Sequence, residues 1–288
     1  MKQAVLRLLI AVYVMGSSSV QASGTFPWPW KTNSFGPDVK VLSETENSAL
    51  CRLTILHNTG MSSCSATLIS ANQAITATHC FPLDFDTTKQ LATLTCAKKY
   101  GSEIAKVFRM NALRAGIPSD DMSVMDLETP IPDSVLGKQV KPIRVAQYPH
   151  LYFSAGASDV SSVIGATLKP DVDCWVAGYG KSKKEPSGIL RGFPIRPDRS
   201  VLRVAESQIF PGSFLELRAP AGKTLENSVD AGDSGGSLIC RSSPKADYEL
   251  IAVNSSQTYL QLTGELIANR FTPVFSLAAK EFLQRVLK

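Results

Sequence analysis

An acid, a serine and two glycines follow one another in the stretch DAGDSGGSLIC, Asp230 to Cys240. Glycines serve tight turns, and Asp and Ser side chains bond back to the local backbone, so one reading is a turn ahead of the strand-like SLIC. The other reading is chemical. A serine held on a constrained turn, flanked by backbone N–H groups, offers a nucleophile beside an oxyanion hole. A hydroxyl is a weak nucleophile until a base takes its proton, so Ser234 needs a histidine. The chain has three of them, His57, His79 and His150. His57 ends a strand-like run before NTG and reads as a hairpin tip. His150 lies in a passage rich in Pro and aromatics and reads as packed or solvated. His79 ends the apolar segment AITATHC, where a strand gives way to a loop, and is the candidate base.

Positioning those groups falls to many short strands. LCRLTILHN, CSATLIS, QAITATHC, LATLTCAK, EIAKVFRM and DMSVMDL are apolar or alternating segments of strand length bounded by turn residues. A Pro-rich passage, PIPDSVLG and KPIRVAQYPH, connects them to a second series: DCWVAGYG, RVAESQIF, SFLELRA, GSLICR, YELIAVNSS and LIANRFTPVF. Two polar stretches, 154–172 and 181–199, interrupt the second series, and the latter reads as a long solvated loop. Only SLAAKEFLQRVLK has helical spacing, with Leu277, Phe282, Val286 and Leu287 on one side and Ser276 as N-cap. The pattern predicts an all-β sandwich or a pair of barrels with one terminal helix.

The N-terminus MKQAVLRLLIAVYVMGSSSVQASG has a basic n-region in Lys2 and Arg7, an apolar run from Leu8 to Met15, and a small-x-small site before Ser23. It reads as an export signal over residues 1–22, with no stable membrane anchor after cleavage. An irregular arm or pro-segment, 23–49, follows. Removing Lys2 and Arg7 takes the formal charge from +5 to +3. So mild an excess, without a Lys/Arg run, argues against nucleic acid as a partner. Six cysteines, Cys51, Cys64, Cys80, Cys96, Cys174 and Cys240, suit disulfides in an exported chain, and the count alone leaves fifteen pairings. No CxxC pair or Cys–His cluster has metal-ligand spacing, so neither a metal nor another cofactor is expected.

Taken together the segments resemble the trypsin/chymotrypsin-like serine proteases. CSATLISANQAITATHC is similar to the family's first cysteine loop, whose TAAHC-type strand end carries the general base. DDMSVMDLETPI resembles DIALLKLxxPI, which holds the orienting aspartate. CWVAGYG resembles CxxxGWG, GDSGGSLIC the nucleophile motif, and RFTPVFSLAAKEFLQRVL the last strand and helix. The resemblance implies two packed six-stranded antiparallel β-barrels with a C-terminal α-helix, all-β in class. The peptidase domain would span 50–288: first barrel about 50–130, connector about 131–150, second barrel about 151–275, helix about 276–288. It implies His79 as general base, Asp121 as its partner, and Ser234 as nucleophile, with the N–H groups of Gly232 and Ser234 as oxyanion hole. Asp120 and Asp126 are then surface charges. It further implies the pairs Cys64–Cys80 and Cys174–Cys240, leaving Cys51–Cys96.

Two departures from the family stand out. No IVGG-like terminus, whose amine would pair with the acid before the serine, lies upstream of Cys51; PDVKVLSE stands near its place. Asp233 is that acid, and without a partner a buried carboxylate is costly, which leaves the oxyanion hole waiting on a cut or a binding event. At the specificity pocket, Ser228 stands where trypsins carry an acid, and Asn254, Ser255 and Ser256 replace the usual wall, so preference for Arg or Lys is not expected. The leading expectation is a secreted or periplasmic serine endopeptidase acting on protein or peptide substrates, with an activating protease or a protein inhibitor as further partners. The alternative is a latent or non-catalytic protease-like domain that binds another protein. An esterase of another fold would want its histidine after the serine.

Overall fold

In LCRLTILH the apolar side chains alternate, and in the computed structural model this segment is strand β2, Leu50–His57, with Cys51, Leu53 and Ile55 turned into a core. The structure describes residues 38–43, 47–58, 60–96, 105–113, 121–154, 167–180, 188–196, 200–206, 213–219, 221, 225, 227–229, 231–259 and 265–287. A two-residue strand β1, Lys40–Val41, precedes β2. Next come β3 (Gly60–Leu68), β4 (Gln73–Thr76), β5 (Leu91–Cys96), β6 (Ala105–Leu113) and β7 (Met122–Leu127). Strands β2 to β7 close into a barrel in the order β2-β3-β4-β7-β6-β5. Closure leaves no sheet edge to pair with another chain.

The second sheet is built from β8 (Arg144–Val145), β9 (Asp173–Gly178), β10 (Arg191–Pro194), β11 (Val201–Glu206), β12 (Ser213–Arg218), β13 (Ser237–Arg241), β14 (Glu249–Tyr259) and β15 (Leu266–Pro273). Its nine strands run β1-β10-β9-β13-β14-β15-β12-β11, with β8 alongside β14. The expectation was six strands. The extra ones are β1 and β8, recruited from the arm and the connector, and β10, from the stretch between the first two expected strands. Strand β10 ends at Pro194, which has no N–H to continue a ladder. β10 also corrects the reading of 181–199 as a solvated loop: Leu190, Arg191, Phe193 and Ile195 are buried. Lysines and prolines on both sides hid a strand of four residues.

Helix α1, Leu277–Val286, closes the chain. Ser276 caps it by accepting from the N–H of Ala279 at 3.1 Å, a contact of about 1 kcal/mol. Its buried face is Ala279, Phe282, Leu283 and Val286, whereas Leu277, expected inside, is 56% exposed. The helix is tied to the first barrel where Gln73 Nε2 donates to the carbonyl of Val286 at 3.0 Å and to Asp126 Oδ1 at 2.9 Å. Asp126, expected on the surface, is therefore buried at 8% exposure, since this bond satisfies it inside. Asp120 lies outside the described residues, as does the stretch 1–22 read as an export signal.

All three disulfides form with the expected pairing: Cys51–Cys96, Cys64–Cys80 and Cys174–Cys240. Two of them join residues directly opposite on paired strands, Cys51 with Cys96 on β2 and β5, and Cys174 with Cys240 on β9 and β13. The third crosses from β3 to the turn after β4.

Candidate active site

The strand reading of AITATHC holds only as far as Thr76. A 3-10 turn, Thr78–Cys80, follows, and Asp121 at the mouth of β7 organises it. Asp121 Oδ1 accepts from the backbone N–H of His79 at 2.9 Å, and its Oδ2 meets Nδ1 of the same residue. Backbone and ring are thus clamped by one carboxylate, which fixes the direction of the imidazole. The Ser255 hydroxyl, from β14 of the other sheet, donates to Oδ2 at 2.9 Å. Burial alone pushes the Asp121 carboxyl up, but the His79 bond and charge, the His79 N–H and the Ser255 hydroxyl outweigh it and hold the group below its ordinary range. Nε2 of His79 is enclosed and has no hydrogen-bond partner.

Ser234 sits on the turn ahead of β13, and that turn is bolted to the first barrel. Ser65 on β3 donates its N–H to the Ser234 carbonyl at 2.8 Å and its hydroxyl to the Gly232 carbonyl at 2.8 Å, and it accepts from the Tyr179 N–H at 2.8 Å. Thr76 Oγ1 donates to the Ser65 carbonyl at 2.7 Å, and Thr67 and Ser237 share a hydroxyl contact across the same seam. The Sγ of Cys80 lies 3.6 Å from the Ser234 carbonyl oxygen, so the turn that carries His79 abuts the turn that carries Ser234. Gly235, at φ +77°, is buried where a Cβ would overlap Thr76 Oγ1 and the Ser65 carbonyl; only glycine fits. Gly232 has φ +95°. The N–H groups of Gly232 and Ser234 make no hydrogen bond to another protein group among the described residues.

Asp233, between them, turns inward and is 4% exposed. Its Oδ1 accepts from the Gly180 N–H at 2.7 Å, and its carboxylate fills the space a side chain would need at Gly178 or Gly180. Asn254 donates to its carbonyl at 2.8 Å. Ser228 lies beyond this turn, 5% exposed, and accepts from Gln257 Nε2 at 2.8 Å; the same amide reaches the Val229 carbonyl. Ser256 Oγ is enclosed without a partner. His57 is at the β2–β3 hairpin end, opposite Gly60, and His150 is exposed beside Tyr148. Both are remote from Asp121, whose imidazole partner is His79.

A family model described as Trypsin matches residues 43–279, most of the chain. The chain belongs to the trypsin family. Its mostly β architecture, two curled sheets and one terminal helix, is the trypsin fold. This trypsin-family chain is also 25% identical over 194 residues to transmembrane protease serine 9 of Rattus norvegicus, a stretch covering 62% of this chain and 16% of that protein. It therefore spans only a small part of that relative. Among the described residues, no helix is long and apolar enough to cross a membrane.

Three site roles escaped the sequence reading: Ser65 and Gln257 were not singled out, and Ser255 was read only as part of the pocket wall. Ser65 is one of many small polar residues in CSATLIS, and its bonds run to residues far along the chain. Ser255 reaches Asp121 through the packing of the two sheets. Gln257 looked like an ordinary polar strand residue.

Proposed function

We propose that this trypsin-family chain is an exported serine endopeptidase, acting through an acyl-enzyme. The observation that carries the reading is the His79–Asp121 clamp, which leaves Nε2 unpartnered beside the turn bearing Ser234. His79 Nε2 takes the proton of Ser234 Oγ as that oxygen bonds to the scissile carbonyl carbon. Asp121 holds the Nδ1–H tautomer and stabilises the imidazolium. The oxyanion is met by the N–H groups of Gly232 and Ser234, a single such donor contributing on the order of 3 kcal/mol. His79 then gives its proton to the leaving amine as the C–N bond breaks. A water, deprotonated by the same nitrogen, frees the acid and restores Ser234. Catalytic hydrogen bonds are often long before substrate arrives, which accommodates a serine that does not yet touch Nε2.

Export is supported by the signal pattern at 1–22 and by three disulfides, which persist in oxidising compartments such as the periplasm or the extracellular space. The substrate side chain would enter beside Ser228 and Ser256, where Gln257 takes up part of the room and Ser228 stands where an acid would select Arg or Lys. With Asn254 committed to Asp233 and Ser255 to Asp121, those two would serve substrate through their backbone. The missing His79–Ser234 hydrogen bond is the one observation that favours the second reading, a latent or purely binding domain. Labelling with a fluorophosphonate, beside a Ser234→Ala control, separates the two. Labelling that depends on Ser234 is expected; a folded chain that never reacts would sink the enzyme reading.

A further inference from the structure

The carbonyl of Asp233 accepts two hydrogen bonds, one from the Gly236 N–H and one from Asn254 Nδ2, each at 2.8 Å. That carbonyl and the N–H of Ser234 belong to one planar, trans peptide unit, so they point in opposite directions. Holding the oxygen toward Asn254 therefore aims the Ser234 N–H the other way, where it makes no bond to another protein group among the described residues. Asn254 is 2% exposed, and its own carbonyl accepts from the Gly235 N–H at 2.8 Å. Its side-chain oxygen is enclosed with no hydrogen-bond partner. A buried acceptor left unsatisfied weakens a fold. An apolar side chain of similar size would avoid the defect, and the Asp233 carbonyl would keep the Gly236 N–H. A residue held against stability in this way belongs to a site rather than to a core.

We propose that Asn254 is a positioning residue that fixes the peptide between Asp233 and Ser234 and so aims the Ser234 N–H into the oxyanion hole. This role rests on the peptidase reading, and it uses the main chain of Asp233, not its carboxylate. Strand β14 is shaped for the task. In its register with β15, Asn254 stands opposite Phe271 and Ser256 opposite Arg270, so Ser255 is the extra residue of a bulge. Consecutive side chains of β14 thus serve the two halves of the chemistry. Asn254 holds the turn that bears the nucleophile, and Ser255 bonds to the carboxylate that orients the base. A carboxamide suits the position because it donates without carrying a charge. An aspartate of the same shape would set an acceptor against the Asp233 carbonyl.

The test is fluorophosphonate labelling of Ser234 in the full purified chain, as wild type, Asn254→Leu and Asn254→Asp, each with circular dichroism and a melt. Rates are taken against probe concentration and from about pH 5 to about pH 9, the range in which a histidine base titrates. Asn254→Leu is expected to fold, to melt no lower than wild type, and to label about tenfold more slowly at saturating probe. Its half-saturating concentration and the acid limb of its pH profile are expected to stay as in wild type. The loss is smaller than the roughly 10²-fold of an oxyanion donor removed outright, because the Gly236 N–H still holds the carbonyl. A folded variant that labels at the wild-type maximal rate, whatever its melt, would overturn the proposal. So would a moved acid limb, which would trace the slowing to His79 and Asp121. Should the leucine variant not fold, Asn254→Asp, which keeps the shape and loses the donor, is read in the same way. Should wild type fold yet never label, the peptidase reading fails by itself. The orientation of the peptide is then read from hydrogen exchange of the Ser234 amide, where equal rates in wild type and Asn254→Leu would refute it.

Discussion

Ser255 donates its hydroxyl to Oδ2 of Asp121 at 2.9 Å, so a residue of the second sheet completes the shell of a carboxylate in the first barrel. Its loss leaves a buried oxygen one donor short, a defect of about 1–2 kcal/mol. Ser255→Ala should therefore lower kcat/KM by roughly tenfold. It should also raise the Asp121 carboxyl, because one of the bonds that holds it down is gone. The acid limb of the pH–rate profile is the readout, and an unchanged profile with unchanged rate would remove Ser255 from the site.

The seam residue Ser65 makes three bonds to the far side of the cleft, to Gly232, Ser234 and Tyr179. Two of them use its hydroxyl. Ser65→Ala strips the half-buried Gly232 carbonyl and the buried Tyr179 N–H of their partner, and urea unfolding should show a loss of about 1–3 kcal/mol. Fluorophosphonate labelling should slow as well, since the turn of Ser234 loses an anchor. A stability loss with full labelling rate would mean that the seam holds the barrels together without shaping the turn.

Far from the cleft, Glu216 is 1% exposed among Arg203, Arg218 and Arg270, at 3.2, 2.6 and 3.2 Å. Burial pushes its carboxyl up, but the three guanidinium groups win and hold it below the usual range. A carboxyl lowered by folding stabilises the fold fully above its unfolded value, near 4.5, and that stabilisation fades as pH falls through the folded value. The wild-type Tm should then drop more steeply below about pH 4.5 than that of Glu216→Gln. Near neutrality the variant should be the weaker by about 2 kcal/mol, a modest figure because Arg203 and Arg218 are more than a third exposed. Parallel Tm curves would rule this out.

Gln257 occupies space beside Ser228 with its amide bound to that hydroxyl. Shortening it to glycine opens the recess. A peptide-library cleavage assay on Gln257→Gly should show preference moving toward bulkier side chains, by about tenfold in kcat/KM for each added methylene that fits. Preference that does not move would place the substrate side chain elsewhere.

Much of this molecule could be read from its residues because the signals are local. A serine between glycines, an apolar strand running into His79, and alternating segments of strand length each report their own neighbourhood. The contact of His79 with Asp121 followed from recognising two such neighbourhoods and their order. What escaped depends on register across the sheets. Asp126 looked like a surface charge until Gln73 met it from β4. Arg191 sat in a lysine- and proline-rich stretch whose composition said loop, while its four-residue strand is inserted between β1 and β9. No window along the chain holds that information, because the deciding partner lies many residues away.

The seam also sets when the molecule becomes competent. The Thr67–Ser237 contact spans 170 positions, the Ser65–Gly232 bond 167, and the Gln73–Val286 bond 213. Contacts between residues so far apart form slowly, and a chain is made from its N-terminus onward. His79 and Asp121 emerge from the ribosome well before Ser234, and the strand that anchors the serine turn must wait for its partner. The candidate chemistry is thereby withheld until synthesis is nearly complete. A half-made chain holds all six strands of the first barrel with His79 and Asp121, but Ser65 and Thr67 still lack their seam partners Gly232 and Ser237.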